Sequence, residues 1–99
     1  MKVNTIVFII SLLLLPGSVF AAGDAAAGKD KASSCASCHG ANGEGIKPNP
    51  KISGMTNDKF SQALTAYKTG AKKHMMMEML TKNLSDQDIA DLAAFYASK

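Results

Sequence analysis

The chain has 99 residues and a formal net charge of +3, and this length allows one domain at most. Its basic side chains other than histidine are all lysines, because the sequence contains no arginine. Bidentate contacts with phosphate or guanine, which arginine makes, are therefore ruled out. We exclude nucleic acid as a partner despite the basic balance.

The N-terminus has the pattern of a secretory signal peptide. Lys2 gives it a basic start, residues 3–15 are mostly apolar, and small residues precede a cleavage site after Ala21, with Ala22 as the alternative. The rival interpretation is an uncleaved membrane anchor, but the apolar run is short for a spanning helix of about 20 residues. We expect residues 1–21 to be removed and residues 22–99 to form one exported, periplasmic domain without stable membrane insertion.

The exported domain is predicted to begin with a helix over residues 25–34. Asp24 can cap it, and its alanines favour helix. Gly28 lies inside this helix at a cost of about 1 kcal/mol relative to alanine. That cost indicates a close approach of another helix, although a tolerated surface glycine remains the alternative.

The segment Cys35-Ala36-Ser37-Cys38-His39 is the strongest motif in the chain. C-x-x-C-H is the attachment signature of c-type haem, with two thiols on one side of a helical turn and a histidine beside them for the iron. A redox dithiol would require a strand before the motif and a βαβ frame. A zinc site would need about four ligands, which would use every cysteine and histidine present, including His74.

Residues 40–54 are punctuated by glycine and proline and show little apolar periodicity. We predict a loop here, which in a haem protein can wrap around the edge of the haem. A second helix follows over residues 58–69, capped by Thr56 or Asn57 and stopped by Gly70. Helical spacing gives it an inward face of Phe60, Leu64 and Tyr67.

Residues 71–83 crowd together most of the other side chains that could bind an iron: His74, Met75, Met76, Met77 and Met79. Methionine clusters usually fill irregular space in a core. Next to a haem signature, a thioether ligand for the sixth iron position becomes the better interpretation. His74 could instead give bis-histidine ligation, or lie exposed beside two lysines.

The last helix is predicted to start after Ser85, which can cap it, with acidic residues in the first turn. Ile89, Leu92 and Phe95 follow on one face. We expect this face to pack against the first helix.

Four motifs together resemble a known family: GDAAAG at 23–28, CASCHG at 35–40, PKISG at 50–54, and MM at 76–77 followed by LSD at 84–86 and DLAAFY at 91–96. The chain resembles the short bacterial class I c-type cytochromes of the monohaem kind, which are also similar to one half of a dihaem cytochrome. The resemblance implies an all-α fold, with three main helices and loops wrapped around one covalently attached haem.

The resemblance also implies roles for individual residues. Cys35 and Cys38 would form the thioether bonds, and His39 would be the proximal iron ligand. The carbonyl of Pro50 would accept a hydrogen bond from the other ring nitrogen of that histidine. Met77 would be the axial ligand on the other side of the iron, with Met76 and then Met79 as rivals.

Two further positions concern the fold. Gly28 and Phe95 match the crossing point of the terminal helices in this family. Relatives often carry an aromatic residue near Ala32, so the small side chain here predicts a thinner contact at that crossing.

An iron held by His39 and Met77 has no open coordination position, so we expect a single-electron carrier and not an enzyme. Its partners would be redox proteins, both donor and acceptor, such as membrane cytochrome complexes or terminal oxidases and reductases. Two other functions stay open: an enzyme or gas-binding protein with a weakly held sixth ligand, and a subunit of a larger oxidase or dehydrogenase. Four lysines could form a positive rim around the haem edge, or be ordinary solvated side chains: Lys47, Lys51, Lys72 and Lys73.

Overall fold

The computed structural model describes residues 22–99, so the expected signal peptide lies outside the described residues. The described part contains five helices: α1 Ala25–Lys31, α2 Ser33–His39, α3 Asn57–Thr69, α4 Met75–Thr81 and α5 Asp86–Ala97. Apart from one isolated bridge between Ile46 and Asn49, residues 22–99 form no β-structure. The all-α prediction is confirmed. Within this part of the chain, every helix is too short or too polar to span a bilayer.

The predicted first helix is in fact two helices that meet at Ala32. Asp24 caps α1 as expected, since its carboxylate accepts from the backbone N–H groups of Ala26 and Ala27. The helix ends because Ala32 N–H bonds to the carbonyl of Lys29, three residues back, which tightens the turn. The predicted end at residue 34 was therefore wrong, and α2 carries the whole C-x-x-C-H motif.

The terminal helices α1 and α5 cross in close contact at Gly28. A Cβ atom at this position would lie 2.0 Å from the carbonyl oxygen of Asp91 and 2.8 Å from the Cβ of Phe95. Only glycine allows this approach, so the close-contact interpretation of Gly28 is confirmed and the surface interpretation is wrong. Ala32, next in line, is itself buried in the core.

A buried carboxylate ties the start of the domain to α5. Asp91 accepts hydrogen bonds from the backbone N–H of Asp24 at 2.8 Å, from Lys31 Nζ at 2.5 Å and from Gln87 Nε2 at 2.9 Å. The Asp24 N–H, followed by the Lys31 ammonium, lowers the pKa of Asp91 to about 2. The backbone at Asp24, just before α1, is thus held by a carboxylate that stays ionised at any ordinary pH.

The core forms where α3 packs against α5. Thr56 caps α3, and Gly70 ends it in the left-handed conformation with φ 79°. Phe60 stacks on the ring of Tyr96 with centroids 5.5 Å apart. Ser85 and Asp88 form a capping box at the start of α5, as the acidic first turn suggested. The predicted apolar face of α5 is buried, at Ile89, Leu92 and Phe95.

Residues 75–81 form α4, although their sequence pattern predicts no helix. Its N-cap is His74, whose Nδ1 accepts from the N–H of Met77 at 3.4 Å. Histidine is an uncommon cap, which explains why the start of the helix is not evident from the sequence.

Candidate haem-binding site

A cleft opens between α2, the loop of residues 40–54, α3 and α4. The space between its walls is about 1070 Å³, part of which is open solvent. Most of the lining side chains are apolar, so the cleft suits a large flat apolar ligand.

The C-x-x-C-H motif forms one wall of the cleft. The spacing along α2 places Cys35 and Cys38 on one face of the helix, and both border the cleft as free thiols. Each is half-buried, and burial raises the pKa of the Cys35 thiol. Both sulfurs are therefore within reach of one ligand in the cleft.

His39 ends α2, and it is 8% exposed. Its Nδ1 lies 2.7 Å from the carbonyl oxygen of Pro50. Because a carbonyl can only accept, Nδ1 carries the proton and donates it. Nε2 is then the basic nitrogen, and the ring orientation is fixed in the way that metal-binding histidines require.

The methionines of α4 divide between the cleft and the surface. Met77 is half-buried, borders the cleft and packs against the core. Met76 also borders the cleft but is 52% exposed, while Met79 is 63% exposed and does not line it. Of the three candidates, Met77 is held inside the fold.

The backbone around Met77 is fixed at both ends of the turn. Its N–H is bound by His74, and its carbonyl accepts from Thr81 Oγ1 at 2.7 Å. His74 borders the cleft as well, but its Nδ1 serves the helix cap. His74 is exposed beside Lys72 and Lys73, as one of the two predictions for it states, and its capping role was not predicted from the sequence.

Three residues at this site were not predicted from the sequence. Thr81 is buried and holds the Met77 carbonyl, and its position four residues after Met77 is a signal that could have found it. Lys31 borders the cleft while pairing with Asp91. Tyr96 is buried in the core cluster against which Cys35 packs, and only tertiary contacts show its position.

The four lysines of the expected rim are all exposed and lie on segments that border the cleft. Lys72 places its ammonium 5.0 Å from the centre of the Tyr67 ring. Lys73 lies 3.8 Å from Glu78, which partly offsets its charge.

Haem c requires two thiols, an imidazole, a second donor for the iron and apolar walls, and residues of each kind line the cleft. The zinc interpretation finds no support, because residues 22–99 contain no group of three or more cysteine, histidine or acidic side chains arranged to hold a metal. An all-α domain with C-x-x-C-H at the edge of such a cleft defines a c-type haem protein.

The comparisons with known proteins agree with this class. Residues 25–98 match the Cytochrome c family, and the chain belongs to that family. Cytochromes c carry electrons on covalently bound haem, and with a single C-x-x-C-H motif this chain has one haem c.

The chain is 45% identical over 95 residues to cytochrome c4 of Pseudomonas aeruginosa, covering 92% of this chain and 47% of that protein. It is 42% identical over 82 residues to cytochrome c-554(548) of Halomonas halodenitrificans, covering 79% and 99%. The chain therefore spans about half the length of the cytochromes c4 but nearly the whole of the second relative.

Solved structures show the same fold. Cytochrome c4 of Acidithiobacillus ferrooxidans aligns with a TM-score of 0.75 at 26% identity, over 83% of this chain and 53% of that one. Cytochrome c4 of Pseudomonas stutzeri aligns with a TM-score of 0.71 at 36% identity, over 79% and 46%. The expected class I cytochrome c fold is confirmed.

Proposed function

We propose that this protein is a periplasmic single-electron carrier whose haem iron is bound by His39 and Met77. The observation that carries the proposal is the convergence of Cys35, Cys38, His39, Pro50 and Met77 on one cleft. When bound there, haem c supplies one-electron chemistry at its iron.

Each residue then has a distinct role. Cys35 and Cys38 would hold the ring covalently, and the Pro50 carbonyl fixes the orientation of the His39 ring. Met77 would supply the second iron ligand, and its thioether would favour the ferrous state and so raise the reduction potential. The apolar walls would keep water from the iron, which would also raise the reduction potential.

A closed coordination sphere leaves no position for a substrate, so we infer that the protein turns over none itself. Its partners are donor and acceptor redox proteins, such as membrane cytochrome complexes or terminal oxidases and reductases. Without residues 1–21 the domain carries 10 lysines against 8 acidic residues, a balance of +2. Two ionised haem propionates would reduce this to about zero, so any attraction to an acidic partner must come from the local lysine rim.

The test is the visible spectrum of the protein purified from the periplasm, in both oxidation states, with and without carbon monoxide. We expect a low-spin haem that survives acid–acetone extraction and does not respond to carbon monoxide. As a control, Cys35→Ala with Cys38→Ala should yield protein from which any haem is extracted. Rapid carbon monoxide binding or a high-spin ferric state would contradict the closed site and favour an enzyme or gas-binding protein. Protein without haem would overturn the proposal as a whole.

A further inference from the structure

The side chain of Tyr96 carries a buried hydroxyl for which the described contacts offer no hydrogen-bond partner. Tyr96 is 0% exposed, and within residues 22–99 its hydroxyl has no hydrogen-bond partner. A buried hydroxyl without a partner is destabilising, and such groups are rare in native proteins. A phenylalanine would fill the same space without this penalty, so the hydroxyl requires an explanation.

The Tyr96 ring has little freedom to move its hydroxyl elsewhere. It stacks on Phe60 and meets the Phe95 ring edge-on, with centroids 4.9 Å apart. On another side it faces Gly43, where an added Cβ would lie 2.8 Å from the ring. The hydroxyl therefore stays where the packing of the ring places it.

Cys35 packs against the buried core cluster that contains Tyr96, which makes its sulfur the candidate acceptor for this hydroxyl. Burial raises the pKa of the Cys35 thiol, and the hydroxyls of Ser34 and Tyr96 lower it in turn. Burial, and then the Cys35 sulfur and Glu44, raise the pKa of Tyr96, so the phenol keeps its proton. Glu44 itself is exposed, and its carboxylate accepts from the N–H of Asn42 at 2.9 Å. Tyr96 thus presents a permanent donor close to the sulfur, although the two do not meet hydrogen-bond geometry in this structure.

We propose that the Tyr96 hydroxyl donates a hydrogen bond to the Cys35 thioether sulfur and thereby positions that link and raises the reduction potential of the haem. The inference rests on the proposed attachment of haem at Cys35. A thioether sulfur keeps lone pairs and can accept, weakly, from a hydroxyl. The positive end of the O–H dipole then points towards the ring system, where it favours the state with the additional electron.

The experiment compares the wild-type holoprotein with Tyr96→Phe, which removes one oxygen atom and keeps the ring. We expect haem to remain attached, the reduction potential to fall, and the melting temperature of the holoprotein to fall as well. Resonance Raman spectroscopy of the thioether C–S stretch adds a readout that packing alone would not move. The band should shift between H₂O and D₂O in the wild type and show no isotope shift in the variant.

The outcomes separate this inference from the proposed function. A normal covalent haem with the same potential in both proteins, or a higher melting temperature in Tyr96→Phe, would overturn the role of Tyr96 alone. Wild-type protein without covalent haem would instead refute the proposed function. If the variant does not fold, the solvent-isotope shift in the wild type decides, and its absence overturns the hydrogen bond.

Discussion

At the scale of single residues, the choice of axial ligand depends on which methionine the fold holds inside. Met76 and Met77 are neighbours in sequence and both border the cleft, but only Met77 packs against the core. An exposed side chain loses more conformational freedom when it is fixed at an iron than one that is already held.

We predict that Met77→Ala abolishes the low-spin, methionine-ligated spectrum and opens the iron to carbon monoxide. Met76→Ala is the matched control and should keep both the spectrum and the closed site. The measurement is the ferric absorption spectrum of the purified variants. Loss of ligation in Met76→Ala alone would show that the assignment is wrong.

Asp91 gives a prediction on pH. Its pKa in the folded protein, about 2, is below the value near 3.9 of an unfolded chain. The ionised carboxylate therefore stabilises the fold fully above the unfolded pKa, and this contribution is lost as the pH falls through the folded value. We expect Asp91→Asn to melt at a lower temperature than the wild type near neutral pH, and the difference to shrink between about pH 4 and pH 2. A difference in melting temperature that does not change with pH would contradict stabilisation by the ionised Asp91 carboxylate.

At the scale of elements, the crossing of α1 and α5 depends on a position without a side chain. We predict that Gly28→Ala destabilises the protein by about 1–3 kcal/mol, because the added Cβ would overlap the Asp91 carbonyl. This loss must exceed the gain of about 1 kcal/mol that alanine brings to a helix. The measurement is the free energy of unfolding in urea. Asp30→Ala, at an exposed position of the same helix, is the control and should change it little.

Leu92 tests the contribution of α5 to the core. It is 1% exposed and borders the haem cleft, whereas Phe95 on the same helix faces Gly28. We expect Leu92→Ala to cost about 2–5 kcal/mol through the cavity that it leaves. Thermal unfolding of the holoprotein checks this, and an unchanged melting temperature would contradict the assignment of Leu92 to the core.

At the scale of the whole molecule, the net charge with haem bound would be near zero. Attraction to an acidic partner would therefore depend on where the lysines lie on the surface. We predict that the rate of electron transfer to an acidic partner falls as salt is added, since the Debye length shortens from about 30 Å at 0.01 M to about 8 Å at 0.15 M. Lys51→Gln with Lys72→Gln should lower the rate at low salt and weaken its salt dependence.

The control for the rim is Lys99→Gln at the C-terminus, where the ammonium lies over the Phe95 ring, away from the cleft lining. This variant should transfer electrons at the wild-type rate in stopped-flow measurements. A rate that does not depend on ionic strength in the wild type would mean that the four lysines are ordinary solvated side chains.

The sequence by itself determined the features that depend on local chemistry. The C-x-x-C-H motif identified the cofactor, since no other common use of cysteine places a histidine directly behind the second thiol. Caps at Asp24, Thr56 and Ser85 located three helix starts, because a side chain that satisfies free backbone N–H groups acts within its own turn.

Only the tertiary structure decided what depends on residues far apart in the chain. The charge network of Asp91, the inward position of Met77 and the burial of the Tyr96 hydroxyl all arise from such contacts. Helix α4 was missed for a different, local reason, since its cap is a histidine, which is uncommon at that position. Sequence periodicity indicates which side of a helix faces inward, but the partner that it meets there is set by the packing of the whole chain.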